Sequence, residues 1–181
     1  MILARSRARF RKRVRRHLER IGRLFPHRTE RDLFSRSVRY FERINFAGQP
    51  VDLVPDAASR ERAAALLSAR LTSGQRRCLR RRGFFTVIGS SGRRFRIWAR
   101  RSLPVELADD TSLRRYSGPR LYCVTTDVSE EGGILPLADY LLELKLCLEA
   151  DEEYFLLTSN PNFEQGRLEK NQILLRRKGS A

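Results

Sequence analysis

The apolar residues change their spacing between positions 84 and 99, and this change sets the class of fold that the chain can adopt. Residues 84–88 and 94–99 are rich in aromatic and β-branched side chains, and the four residues around the intervening turn are Gly, Ser, Ser and Gly. This pattern predicts a β-hairpin. Shorter strands are predicted at 105–107 and 121–125. We therefore expect a small antiparallel sheet.

Apolar residues at helical spacing flank the hairpin on both sides. Before it, four helices are predicted, at about 3–25, 30–44, 57–71 and 73–82, and all of them carry arginine. After it, Pro136 opens one long helix that is expected to end near Asn160. The sequence thus predicts an α+β fold, with a small antiparallel sheet and its hairpin packed on one long helix, preceded by basic N-terminal helices.

A segment rich in turn-forming residues, Asn45 to Pro55, divides the chain and contains Gly48 and Pro50. We therefore predict three parts: a basic, arginine-rich helical arm at 1–50, an α+β domain at 56–160 and a polar tail at 161–181. The tail is expected to be poorly ordered apart from one turn.

The charge of the chain is strongly positive and unevenly placed. Of its 37 basic residues only four are lysines, which leaves 33 arginines against 21 acidic residues, and the net charge is +16. Residues 1–50 carry +11, residues 51–126 carry +10 and residues 127–181 carry −5. Such a charge favours a phosphate-bearing partner, nucleic acid or anionic lipid. An arginine-rich codon usage predicts the same composition.

The spacing of the cysteines and the length of the apolar segments indicate the cellular compartment in which the protein is expected. Cys78, Cys123 and Cys147 are odd in number and far apart in sequence, so they indicate neither a disulfide framework nor a metal-binding pair. No stretch approaches the roughly 20 apolar residues of a membrane span, and the N-terminus lacks the apolar core of a secretory signal. We expect a cytoplasmic protein.

A set of residues between about 64 and 160 forms a recognisable pattern. Its members are Gly83, Phe84, Gly89, Gly92, Arg93, Arg96, Ile97, Cys123, Leu135, Pro136, Asp139, Lys145, Leu146, Glu149, Asp151, Glu152, Phe155 and Asn160. On these residues the segment resembles a family of uncharacterised bacterial and phage-borne proteins. The resemblance covers about half of the chain, and its helical part is the more specific half. It implies a domain from about 56 to 160 and no particular activity.

Three arginine-rich elements are candidates for nucleic-acid binding. The N-terminal helix offers Arg9, Arg11, Arg13 and Arg16, and the helix before the hairpin offers Arg77 and Arg81. Strand alternation places Arg94, Arg96, Trp98 and Arg100 on one face of the hairpin, where arginine can hold phosphates and the indole can stack on a base. The competing interpretation is that the long helix covers this face and that Trp98 belongs to the core.

Catalytic chemistry lacks its usual patterns. Gly89 to Gly92 is followed by neither a Lys-Ser nor a Lys-Thr pair, which excludes a phosphate loop, and the sequence context excludes a nucleophile elbow. His17 and His27 lie far from the cysteines, so we expect no zinc site. A magnesium-dependent nuclease would need carboxylates converging from separate elements. The acidic candidates are Asp109, Asp110, Asp127, Glu130, Glu131, Asp151, Glu152 and Glu153.

The sequence therefore favours a non-enzymatic protein without cofactors that binds RNA or DNA largely without sequence preference. The first alternative is an assembly or scaffold protein of a phage or bacterial particle, in which the acidic helix of one subunit meets the basic surface of another. The second alternative is a peripheral protein on anionic membranes, with the N-terminal helix lying in the interface.

Overall fold

A computed structural model describes residues 30–47, 54–108, 120–124 and 134–179. The described residues contain six helices and five strands, which confirms the α+β class. None of these six helices is both long and apolar enough to cross a membrane. The helices are α1 (Glu30–Asn45), α2 (Ala57–Arg70), α3 (Ser73–Arg82), α4 (Leu137–Ala150), α5 (Glu152–Thr158) and α6 (Glu164–Gly179). The strands are β1 (Phe84–Ile88), β2 (Arg94–Trp98), β3 (Val105–Leu107), β4 (Leu121–Cys123) and β5 (Asn160–Pro161).

The chain divides into two compact units, one formed by residues 1–85 with 128–139 and the other by 86–127 with 140–181. In the first unit, α1 packs against both α2 and α3. Phe34, Val38 and Phe41 form the buried stripe of α1, at the three- and four-residue spacing that places apolar side chains on one helix face. The predicted helix at 30–44 is confirmed, and it packs on the two helices that follow it.

Local capping fixes the ends of α2 and α3. The Asp56 carboxylate accepts a hydrogen bond from the backbone N–H of Ser59 (2.9 Å), which satisfies one unpaired donor at the start of α2. At the start of α3, Thr72 and Gln75 form a capping box: the Thr72 hydroxyl accepts from Gln75 N, and the Gln75 side chain accepts from Thr72 N. Gly83 ends α3 with a φ of 74°, a left-handed conformation that favours glycine. Both predicted helices are confirmed.

The five strands lie in the order in which they occur in the chain, β1-β2-β3-β4-β5. The pairing from β2 to β5 is antiparallel, with Phe95 opposite Leu107 and Tyr122 opposite Pro161. Edge-to-face contacts join three buried rings of the second unit: Phe95, Tyr122 and Phe155 have centroids 5.5 to 6.4 Å apart. The predicted hairpin and strands are present, and β5 is an additional strand.

The prediction of one long helix from Pro136 to Asn160 is wrong, because the helix is interrupted at Asp151. The hairpin turn satisfies the backbone groups exposed by this break. Ser90 N donates to the carbonyl of Leu148 (2.9 Å), and the Ser90 hydroxyl accepts from Glu152 N (3.0 Å). Asp151 itself caps α5 by accepting from Tyr154 N (2.8 Å). At the break, hydrogen bonds with Ser90 of the hairpin turn therefore take the place of hydrogen bonds within the helix.

The prediction of a poorly ordered tail is also wrong, because residues 164–179 form α6. Its apolar pattern is weak, and of its side chains Ile173 is the one that contributes to the buried apolar core. Other contacts hold it: Lys170 Nζ donates to the Ser159 carbonyl (2.8 Å), and Gly166 lies close against Phe163 and Pro161. A helix held mainly by such contacts lacks the periodic signal on which the sequence prediction depended.

Two glycines provide a test of the turn contact. A Cβ added at Gly89 would lie 2.9 Å from Glu152 Cδ and 3.0 Å from the Phe95 ring, whereas one added at Gly74 meets only Thr72 Oγ1 at 4.0 Å. Gly89→Ala should lower the free energy of unfolding by about 1–3 kcal/mol because buried groups must shift. Gly74→Ala should raise it by about 0.5–1 kcal/mol because alanine favours the helix. Urea unfolding of both variants measures this, and equal effects would contradict the turn contact.

Candidate functional site

Arg77 and Arg81 lie on the outward face of α3. Each is about 160° around the helix from Leu79, which is fully buried, so both guanidinium groups point away from the core. Neither forms a hydrogen bond or an ion pair with any residue that the structure describes. The helix carries five arginines and no acidic residue. The structure therefore places both predicted residues on one uncompensated basic face.

A third arginine of α3 has a different role. The Arg76 guanidinium donates to two carbonyls at the C-terminal end of α2, those of Ser68 (3.0 Å) and Leu71 (2.5 Å). Carbonyls in the last turn of a helix have no partner within the helix, and a cation is favoured there by the helix dipole. Arg76 thus ties α3 to the end of α2 and leaves Arg77 and Arg81 to face outward.

The hairpin does not form the predicted stacking surface, because Trp98 is 0% exposed. Its indole Nε1 donates to Glu106 Oε2 (2.9 Å), and Arg96 Nη1 donates to the other oxygen of the same carboxylate (3.3 Å). Arg96 and Glu106 are directly opposite one another on β2 and β3. Trp98 therefore belongs to the core, and the prediction that it stacks on bases is wrong. Glu106, the partner of both side chains, was not identified from the sequence.

The other two arginines of the predicted hairpin site differ from each other. Arg100 stacks on Trp98, with its Cζ atom 5.6 Å from the ring centroid, and its Nε donates to the Leu103 carbonyl (3.1 Å). Arg94 is exposed on β2. Of the four predicted residues, only Arg94 presents its side chain mainly to the solvent.

A buried ionic cluster joins the hairpin turn to the C-terminal helices. Glu152 is 2% exposed, and its carboxylate accepts from the Ser91 backbone N–H, the Ser91 hydroxyl (2.5 Å) and Arg93. Arg93 also donates to Glu169 of α6 (2.6 Å), and these carboxylates raise the pKa of the Arg93 guanidinium against the opposing effect of burial. This cluster was not identified from the sequence, because Arg93 is 59 positions from Glu152 and 76 positions from Glu169.

The acidic cluster around Asp151 does not form a metal site. Asp151 caps α5, Glu152 is buried against Arg93 and Glu153 is exposed, so the three carboxylates point in different directions. Within the described ranges, no group of three or more His, Cys, Asp or Glu side chains is arranged to hold a metal ion. Glu152 and Glu169 do converge from separate helices, but they converge on a guanidinium group.

An open groove lies in the first unit, with a volume of about 450 Å³. Arg62 and Asp139 give it one charge of each sign, and burial raises the pKa of the Asp139 carboxyl. Its other lining residues are mainly apolar or small: Ser59, Ala63, Leu66 and Pro136. Nothing in this lining is typical of a catalytic site.

Several predicted residues lie outside the described ranges. They include the four arginines of the N-terminal helix, Arg9, Arg11, Arg13 and Arg16, together with both histidines. The acidic pairs at 109–110 and 130–131, with Asp127, lie outside as well. The predictions made for these residues therefore stay predictions.

Two buried tyrosines of the second unit provide a matched test of its polar contacts. The Tyr140 hydroxyl donates to the Val124 carbonyl (3.2 Å), whereas the Tyr122 hydroxyl has no hydrogen-bond partner in the part of the chain that the structure describes. Tyr140→Phe should lower the free energy of unfolding by about 1 kcal/mol, and Tyr122→Phe should leave it unchanged or raise it by about as much. Chemical unfolding at pH 7 measures both, and a larger decrease for Tyr122→Phe would contradict this arrangement.

The same tyrosines predict how stability depends on alkaline pH. Burial raises the pKa of both phenols in the folded protein, while in the unfolded chain they ionise near pH 10. The neutral phenols therefore contribute to the free energy of unfolding in full below about pH 10, and this contribution is lost as the pH rises above 10. The fall in the free energy of unfolding above pH 10 should be less steep in Tyr122→Phe than in the wild type.

No protein-family model matches the chain, and no curated protein or solved structure matches it. The resemblance over residues 64–160 therefore stays a prediction. The function is inferred from the exposed side chains and internal contacts of the chain itself.

Proposed function

We propose that the protein binds nucleic acid without catalysing a reaction and largely without sequence preference. The observation that supports this most directly is the outward face of α3, where Arg77 and Arg81 lie opposite the core and have no internal partner in the described residues. Phosphate groups are the natural ligands of such a face, because the planar guanidinium group donates two parallel hydrogen bonds to an anionic oxygen pair.

Four arginines are less suited to binding nucleic acid because they already have contacts within the fold. Arg76, Arg93, Arg96 and Arg100 hold carbonyls, carboxylates or an indole ring within the fold. The proposed binding residues are Arg77 and Arg81, together with Arg94, whose side chain is exposed, and the four arginines of the N-terminal helix. Trp98 is excluded because it has no exposed ring face.

The proposed location is the cytoplasm. All three cysteines are free thiols, which is compatible with a reducing compartment. A cytoplasmic location would also give the protein access to RNA and DNA.

Binding across a range of salt concentrations tests the proposal. After a high-salt, nuclease-treated purification, the affinity for mixed-sequence RNA and DNA should fall steeply between about 50 and 500 mM salt, because each bound phosphate releases counterions. Changing Arg9, Arg11, Arg13 and Arg16 together to glutamine should weaken binding. It should also make the logarithmic salt slope shallower, by about 0.9 for each phosphate of duplex DNA that the variant no longer neutralises. The measurement is fluorescence anisotropy of labelled oligonucleotides.

A matched pair of single variants serves as the control. Arg94→Gln and Arg167→Gln each remove one exposed arginine, the first from the hairpin and the second from α6. Only Arg94→Gln should weaken binding. If both variants weakened binding equally, the affinity would depend on the net charge of the protein and not on the position of Arg94. If the wild type bound no nucleic acid at low salt, the proposal would be overturned.

Assembly is a second candidate, favoured by the outward side of α4. Glu143 and Glu149 are exposed there beside Leu146, which is 48% exposed, and an acidic surface with an apolar centre fits a basic surface on another copy. Nucleic-acid-free protein should then form multimers that dissociate with rising salt, and Leu146→Lys should prevent them. Light scattering measures this, and a monomer at low salt would exclude assembly.

A further inference from the structure

We infer that the nucleic acid is duplex DNA and that α3 enters its major groove. This inference rests on the proposed function and adds the conformation of the ligand. Its basis is the arrangement of α2 and α3, two helices separated by only Leu71 and Thr72, of which the second has an arginine-rich outward face. In a helix-turn-helix, the second of two helices joined by a turn of about three or four residues lies in the major groove.

The dimensions of α3 suit the groove. Its ten residues span about 15 Å, and the major groove of B-form DNA is about 12 Å wide and admits one α-helix. The residues that would face the groove floor are small at the N-terminal end, where Ser73 and Gly74 lie on the same side as Arg77 and Arg81. The long side chains of Arg77 and Arg81 follow on the same side, about one turn and two turns further along the helix.

Gly74 is a second observation that points to a closely approaching ligand. The interior does not require glycine at this position, because an added Cβ would meet only Thr72 Oγ1 at 4.0 Å. Glycine is disfavoured relative to alanine in a helix, so the fold alone favours a side chain here. The missing side chain leaves the start of α3 open to another molecule.

The structure also holds α3 in a fixed position, as insertion requires. The capping box fixes its first turn, Gly83 ends it, and Arg76 binds it to the carbonyl end of α2. The helix α1 packs on both α2 and α3. A rigid helix loses little conformational entropy on binding, so its arginines can align on the phosphates that border the groove together.

Duplex RNA provides the discriminating comparison, because the major groove of A-form RNA is deep and narrow and does not admit side chains. We expect the wild-type protein to bind duplex DNA about tenfold or more tightly than duplex RNA or single-stranded DNA of the same sequence at equal salt. Arg77→Gln with Arg81→Gln should weaken duplex DNA binding by about 10- to 100-fold.

The matched control is Arg39→Gln with Arg43→Gln. These arginines are also exposed and four residues apart, but on α1, where Arg39 lies 3.8 Å from Glu61 in an exposed ion pair, so the variant removes the same number of charges at the same spacing. It should reduce duplex DNA affinity much less. Gly74→Phe leaves every arginine in place and should weaken duplex DNA binding by obstructing the groove, and Gly74→Ala should weaken it less. Circular dichroism and thermal unfolding establish that each variant is folded.

The outcomes separate this inference from the proposed function. Equal affinity for DNA duplex, RNA duplex and single strands would overturn major-groove insertion while leaving nucleic-acid binding intact. An equal decrease in affinity in the α1 and α3 variants, or unchanged binding by Gly74→Phe, would overturn it too. If the wild type bound no nucleic acid at low salt, the proposed function and this inference would both fail.

Discussion

The second unit depends on one buried carboxylate, that of Glu152. An ionised carboxylate that is 2% exposed would destabilise the fold by several kcal/mol if it had no partners. Ser91 and Arg93 supply those partners, and Arg93 extends the cluster to Glu169 on α6. The ionic cluster around the Glu152 carboxylate therefore connects the hairpin turn with the start of α5 and with the C-terminal helix. Removing Arg93 leaves the buried Glu152 carboxylate without its charged partner, which is costlier than breaking an exposed ion pair.

This cluster also shows how the chain sorts its arginines. Three arginines bind acceptors inside the fold: Arg93 binds Glu152, Arg96 binds Glu106, and Arg76 binds the carbonyl end of α2. Each of these interactions uses a guanidinium group to satisfy acceptors that water does not reach freely. Arg77 and Arg81, which point outward from α3, have no such role within the described residues.

The elements set by local contacts were predictable from the sequence. Asp56, Thr72 and Gly83 bound α2 and α3 through interactions within four residues, and the 3.6-residue period placed Arg77 and Arg81 opposite Leu79. The hairpin followed from alternation and its glycine turn. The predictions that failed concern residues whose contacts lie far away in the sequence. Ser90 and Ser91 lie 61 or 62 positions from Glu152, and the burial of Trp98 required Glu106 on another strand.

The outward arginines of α3 have an energetic consequence that favours an external anion. Arg77 and Arg81 are like charges four residues apart on one helix face, an arrangement that destabilises an isolated helix by about 0.2–0.5 kcal/mol. The helix dipole favours the arginines of the last turn but offers less to Arg77, in the middle of the helix. Because α3 contains no acidic residue, the repulsion is not relieved within the helix. Among the described residues, Arg76, Arg93 and Arg96 bind acceptors inside the fold, whereas Arg77 and Arg81 lie together on one exposed face of α3. A bound polyanion would relieve that repulsion, and the fold would then gain stability from its ligand by the same contacts that bind it.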